Sequence, residues 1–398
     1  MPETDAMPTD LSTPILDSGV LPPRIQRKRS RSQTKAILVL VAAVVVMLPV
    51  IAWVDKSRDP KTGFFLLVSA LAAVVIIHEV GHLLAGWTVG FRFGLLHIGP
   101  LSLNLEHGKL KVRVRREMLA MSGVGMHVRT VRRLRRRLLI HAAGGPAANV
   151  LSVPTAILLS RLLPVAEGTW LGALLDQIAV FSLLSAVVNL VPIRSPFLSD
   201  GARIEMLLRS RDRGRRWLSI AALTNLHDRG IRARDWKRTW VRSASGFGDG
   251  SLDAFIGYWL AYMSASDRKD GHTSTVHLER CLELAGTLPP STRDILAQEA
   301  VVFAAWFRDD ASLADQWLTQ VKRRRRLQPL VRLRLDVALR CAHRDYTAAD
   351  SSWQEGRTFI EKATTGPAQE QLRLSWLEWQ EEIEDRKAQQ LTTANNAD

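Results

Sequence analysis

At 398 residues the chain exceeds what one hydrophobic core usually organises, so a single small domain is excluded. Its net charge of +15 does not point to nucleic acid, because the basic excess lies beside apolar segments in Arg24 to Lys35, Lys109 to Arg116 and Arg129 to Arg137, where it sets membrane topology. The two cysteines, Cys281 and Cys341, are far apart with no CxxC spacing, and read as reduced core thiols on a cytosolic face.

Residues 1–35 are rich in Pro, Ser, Thr and Asp and end in a basic run, which reads as a disordered basic cytosolic tail. Four apolar segments are long enough to cross a bilayer, for which about 20 residues are needed: 36–54, 64–86, 138–160 and 171–193. The first lies too far from the N-terminus and is too long for a cleaved signal, so it is expected to be a retained anchor. Six Lys and Arg residues precede it, twelve lie between Trp87 and Arg137, and none lies between Leu163 and Trp170. Excess positive charge marks the cytosolic side, so both termini and the middle loop are expected there and the protein is expected to be multi-pass in the cell membrane. Within that loop, Phe91 to Pro100, Leu101 to Leu105 and Lys109 to Arg115 alternate with period two around Gly and Pro breaks, predicting short strands along the cytosolic face. The remainder, Arg129 to Arg137, is a basic collar.

From about Arg209 the pattern changes to helices of roughly a dozen residues or more separated by short breaks. Pro290, Pro329 and Pro367 recur at nearly even spacing, Arg308-Asp309 recurs as Arg344-Asp345, and Trp317 recurs as Trp353. That period suggests stacked helix pairs of the tetratricopeptide type, with an ordinary helical domain as the alternative. The expected architecture is therefore an all-α polytopic membrane protein with a membrane domain over 36–209, a short cytosolic β segment and a cytosolic α-helical domain over 210–398. Such a helical surface usually binds a protein partner.

The chemistry lies in His78-Glu79-Val80-Gly81-His82, inside the second crossing. Residues four apart on a helix point the same way, so both imidazoles can reach one Zn2+, with Glu79 close enough to take a proton from water as general base. Charged and imidazole groups are costly in hydrocarbon unless they serve a site. A catalytic zinc needs a third protein ligand, and Asp200 is the candidate. It follows the fourth crossing after Pro192 and Pro196, and Gly201 is expected to permit a sharp turn there. The alternative is a surface turn with a helix cap. In the third crossing Gly144, Gly145 and Pro146 permit close helix packing, and Asn149 places an amide in an apolar segment. His141 lies near the cytosolic end of the same crossing and is a candidate to face the cleft. His97, His107, His127, His277 and His343 show no ligand spacing and read as loop, surface or packing residues.

Together, His78-Glu79-x-x-His82, Gly145-Pro146-x-x-Asn149, and Asn189-x-x-Pro192 followed by Asp200-Gly201 resemble the site-2 protease family of intramembrane zinc metallopeptidases over residues 64 to 206. The resemblance implies His78, His82 and Asp200 as ligands of one zinc per chain and Glu79 as general base. It implies that Gly145, Pro146, Asn149 and Asn189 shape the substrate cleft. The implied activity is cleavage of a membrane-anchored protein in or near its transmembrane segment. Two departures stand out: Ser199 precedes Asp200 where many members have Leu, and the Asn189-to-Asp200 segment is long. Neither a PDZ insertion nor a nucleotide-binding domain is recognisable. Rival readings are a membrane scaffold with structural zinc that recruits partners through its helical domain, and a metal transporter, disfavoured by the single metal site.

Overall fold

The computed structural model describes residues 14–24, 60–106, 109–114, 122–163, 169–193, 198–209, 211–322, 327–362 and 367–395. It divides into two compact units, Lys28–Leu218 and Ser219–Asp398, the latter including the N-terminal residues up to Arg27.

The first unit is built on three helices, α2 (Pro60–Thr88), α3 (Leu134–Leu162) and α4 (Trp170–Leu190). All three are long and apolar enough to cross a membrane. Their outward faces carry uncovered Phe64, Phe65, Leu84, Leu151, Leu183 and Val187, surface that water would penalise and lipid would not. The fourth expected crossing, 36–54, lies outside the described residues. Where α2 and α3 cross, Gly81 and Gly144 face one another. A Cβ on either would come within 2.5 Å of the other's carbonyl oxygen, so only glycine allows this approach.

Between α2 and α3 lies an antiparallel sheet of β1 (Arg92–Ile98), β2 (Leu101–Glu106), β3 (Lys109–Val114) and β4 (Ser122–His127), in the order β3-β2-β1-β4. The three expected strands form. The fourth, Ser-Gly-Val-Gly-Met-His, has two glycines and too little alternation to announce itself. Leu101 pairs with Val114 and Leu105 with Leu110, so exposed aliphatic side chains share one face of the sheet. Lys109, Lys111 and Arg113 alternate with them onto the other.

A short helix, α5 (Asp200–Arg209), follows α4, and α6 (Arg211–Asp228) leads on. In the second unit α7 (Arg238–Ser245) precedes three consecutive helix pairs. These are α8 (Leu252–Asp267) with α9 (Gly271–Glu283), α10 (Pro290–Phe307) with α11 (Ala311–Gln320), and α12 (Pro329–Ala342) with α13 (Tyr346–Lys362). The final helix is α14 (Pro367–Asn395). Pro290, Pro329 and Pro367 each open a helix, where the missing N–H costs nothing.

Each pair is joined by the same turn. A residue with positive φ, Lys269, Asp309 or Arg344, is followed by an Asp whose carboxylate accepts from a main-chain N–H of the next helix. The bonds are Thr273 to Asp270 (3.0 Å), Leu313 to Asp310 (2.9 Å) and Ala348 to Asp345 (3.2 Å). In turn the Asp N–H donates back to Ala265, Ala304 and Arg340. The structural repeat therefore aligns Asp309-Asp310 with Arg344-Asp345, one residue from the alignment that Arg308-Asp309 suggests in the sequence. Trp317 and Trp353 are both fully buried.

The stretch read as a disordered tail contains an ordered segment. Residues 14–24 include the single helical turn α1 (Ile15–Ser18) and belong to the second unit. Ile15, Leu16 and Leu21 are buried there. Four aliphatic residues within seven, of which Ile15, Leu16 and Leu21 are buried, are too few for a periodic signal, which is why composition points to disorder.

Candidate metal centre

α2 is apolar on nearly every face, so His78, Glu79 and His82 stand out as polar groups in a packed helix. All three are buried, at 7%, 3% and 5% exposure. Asp200, the first residue of α5, is buried at 4%. Its Oδ2 lies 3.1 Å from His78 Nε2 and 3.1 Å from His82 Nε2, and the two Nε2 atoms are 3.2 Å apart. Among the described residues these three side chains form the group that could hold a metal ion.

The outer nitrogens show why the inner ones face one another. His82 Nδ1 donates to the His141 carbonyl at 2.7 Å. A carbonyl only accepts, so the proton is on Nδ1 and the Nε2 lone pair is free. His141 Nδ1 donates in return to the His82 carbonyl at 3.0 Å. His141 thus braces α3 against α2 behind the centre. His78 Nδ1 lies 3.1 Å from the amide of Asn149, a fully buried residue; with the amide turned so that its oxygen accepts, His78 Nε2 is also left unprotonated. Three possible ligand atoms then converge out of water, an arrangement that could hold a metal ion.

α3 contributes an absence of side chain. A Cβ on Gly145 would lie 2.7 Å from His78 Nε2 and closer still to His82 Nε2, in the space in front of the ligand atoms. Pro146 is buried beside it within the helix. Glu79 is not one of the three converging groups, and its Oε2 is buried without a hydrogen-bond partner.

Asp200 is positioned by Ser199. The Ser199 hydroxyl donates to the Val191 carbonyl (2.7 Å) and accepts from the amides of Ile193 (3.0 Å) and Ala202 (3.2 Å), capping α5 while closing the loop back on the end of α4. The residue that departs from the motif is the one that closes this longer loop. The expected sharp turn at Gly201 is not found. Gly201 is helical and its φ is not positive. It is glycine because a Cβ would collide with the Leu190 carbonyl.

Asn189 does not reach the centre. It donates to the Ser185 carbonyl one turn back at 2.9 Å, and Ser185 Oγ lies 2.9 Å from the same Asn149 amide atom that faces His78, donating its hydroxyl proton to it when that atom is the oxygen. Ser185 thus links Asn189 to Asn149 and, through it, to His78. Nothing in the sequence singled out this residue, one serine in an apolar helix. Cys281 and Cys341 are free and buried, and burial pushes the Cys341 thiol up to about 12.

No family model, curated protein or solved structure matches this chain.

Proposed function

We propose that the chain is an intramembrane zinc metalloprotease of the site-2 protease kind, hydrolysing a peptide bond in or near the transmembrane segment of a membrane-tethered protein. His78, His82 and Asp200 would hold one Zn2+, and Glu79 would act as general base. The observation that carries this reading is Glu79. Structural zinc needs ligands alone, whereas a buried carboxylate with one oxygen lacking a hydrogen-bond partner has a use beside three ligand atoms where a proton must be moved.

The donor set suits zinc. Bonds of about 2.0–2.1 Å in tetrahedral geometry separate ligand atoms by roughly 3.3–3.4 Å, close to the 3.1 and 3.2 Å found. Bound zinc would supply Lewis acidity at the scissile carbonyl and make water a stronger acid. Glu79 would take the proton of the attacking water and deliver it to the leaving amine. Asn149 and His141 would hold the imidazoles, and Gly145 would keep space open for substrate. A transmembrane helix must unwind before its carbonyls are reachable, so helix-weakening residues in the substrate should favour cleavage.

The membrane setting is supported by the apolar outer faces of α2, α3 and α4, and by a sheet with one aliphatic and one basic face, which suits the lipid–water boundary. A cytosolic placement of both termini follows from the distribution of Lys and Arg.

Glu79→Gln should keep its zinc, measured by mass spectrometry of the purified protein, and stop producing the cleaved fragments seen when membrane proteins from wild-type cells are compared. A Glu79→Gln chain that still releases them would overturn the protease reading, and a scaffold with structural zinc would take its place.

A further inference from the structure

The segment Pro14–Arg24 contains one helical turn, and much of its main chain is gripped by side chains from far along the sequence. The Glu279 carboxylate on α9 accepts from the successive amides of Ile15 (2.6 Å) and Leu16 (2.9 Å). The Trp317 indole on α11 donates to the Leu16 carbonyl at 2.8 Å. Arg293 on α10 donates to the Pro22 carbonyl at 2.7 Å while its other nitrogen is anchored on Ala285 at 2.9 Å. Side-chain selectivity is layered over this. Leu16 is fully enclosed and shares one apolar cluster with Ile15, Leu21, Leu278, Leu282 and Leu313. Gly19 takes a positive φ, and a Cβ there would come within 2.6 Å of Gln316 Oε1.

A second indole holds a main-chain carbonyl in this unit: Trp353 donates its indole N–H to the Trp376 carbonyl of α14 at 2.7 Å. Trp317 makes the same kind of bond to Leu16 of the N-terminal segment.

We propose that the helical unit is a peptide receptor whose site is occupied in cis by residues 14–24. Its ligand class is a short peptide with two successive aliphatic residues followed by Asp-Ser-Gly. Main-chain recognition by a carboxylate, an indole and a guanidinium gives affinity, and the pockets for Ile15 and Leu16 give selectivity. Covalent attachment favours a filled site, because it makes binding intramolecular, at an effective concentration set by the connecting chain. This inference is independent of the chemistry at Glu79.

The test uses the full chain in detergent and a fluorescently labelled synthetic peptide of residues 12–24, followed by anisotropy. The wild-type chain should take up little peptide. The double variant Ile15→Asp, Leu16→Asp, with its own segment expelled, should bind it at least tenfold more tightly, and adding Glu279→Gln should reverse most of that gain. A double variant with wild-type helical content that fails to bind, or a wild-type chain that binds equally well, overturns the proposal. Should the double variant misfold, a protease site inserted after Arg27 of the otherwise wild-type chain decides. After cutting, excess labelled peptide should displace the freed segment, and a segment that never exchanges is an integral part of the fold, not a ligand.

Discussion

Gly145 decides whether the centre exists as a space. A single methyl placed there would enter the volume in front of His78 Nε2 and His82 Nε2, yet α3 would lose nothing in helix propensity. Gly145→Ala is therefore expected to retain its melting temperature within a few degrees while metal content falls toward zero, read by equilibrium dialysis and mass spectrometry. Asn149 acts one layer further out, on His78 Nδ1. Groups of this kind typically alter metal affinity about 10–100-fold, so Asn149→Ala should bind metal that much more weakly with stoichiometry unchanged. At this scale the sequence was informative about identity and silent about cause. His78 and His82 were legible because polar groups in an apolar helix need a reason, and Asp200 because it follows the end of another apolar helix as a third ligand candidate. The role of Gly145 depends on which face of α3 meets α2, and that of Ser185 on a neighbour 36 residues away, neither of which periodicity encodes. Gly201 was legible as a glycine with a role but read for the wrong property, conformational freedom in place of thinness.

The inter-helix turns show how two neighbouring residues in one element act with opposite sign. Arg344 sits at φ 61°, a strained conformation for any residue with a Cβ, and its side chain is largely exposed. Arg344→Gly should raise stability by about 0.5–1 kcal/mol. Asp345 caps α13, and Asp345→Ala should cost about 0.5–2 kcal/mol. Urea unfolding followed by tryptophan fluorescence separates the two. Helices were legible here from their length and their Pro starts; the Arg-Asp recurrence does not mark what the turns share, which is a positive-φ residue followed by a capping Asp. A second element-level effect depends on pH. Asp267 on α8 and Glu378 on α14 pair with Arg232 and Arg234. Burial raises the pKa of each carboxyl, but the hydrogen bonds and charges of the arginines more than offset it, leaving both lowered from 3.8 and 4.5. A lowered folded pKa contributes stability that is present above those ordinary values and is lost as the pH falls through the folded ones. Melting of the wild type should therefore drop below about pH 4, and Arg232→Leu should show a smaller drop, since the carboxylates it stabilised are no longer held as low.

At the scale of the whole molecule, the docked N-terminal segment constrains topology in a way hydropathy alone does not. Leu16 is enclosed by α9 and α11 of the helical unit, so on the proposed membrane reading the crossings between residues 24 and 219 would be even in number. Three candidate spans occur among the described residues. On that reading the apolar run 36–54, which lies outside the described residues, would supply the fourth. Labelling can decide this. Val20 and Asp385 are exposed, whereas the native Cys281 and Cys341 are buried with their thiols pushed up by burial, so they react slowly. Single cysteines at positions 20 and 385 should be modified by an impermeant maleimide only from the same face of sealed vesicles, and a cysteine placed between α3 and α4 only from the other. Labelling of positions 20 and 385 from opposite faces would mean that segment 14–24 cannot reach Glu279 of its own chain, and both the four-crossing topology and the occupancy in cis would fall together.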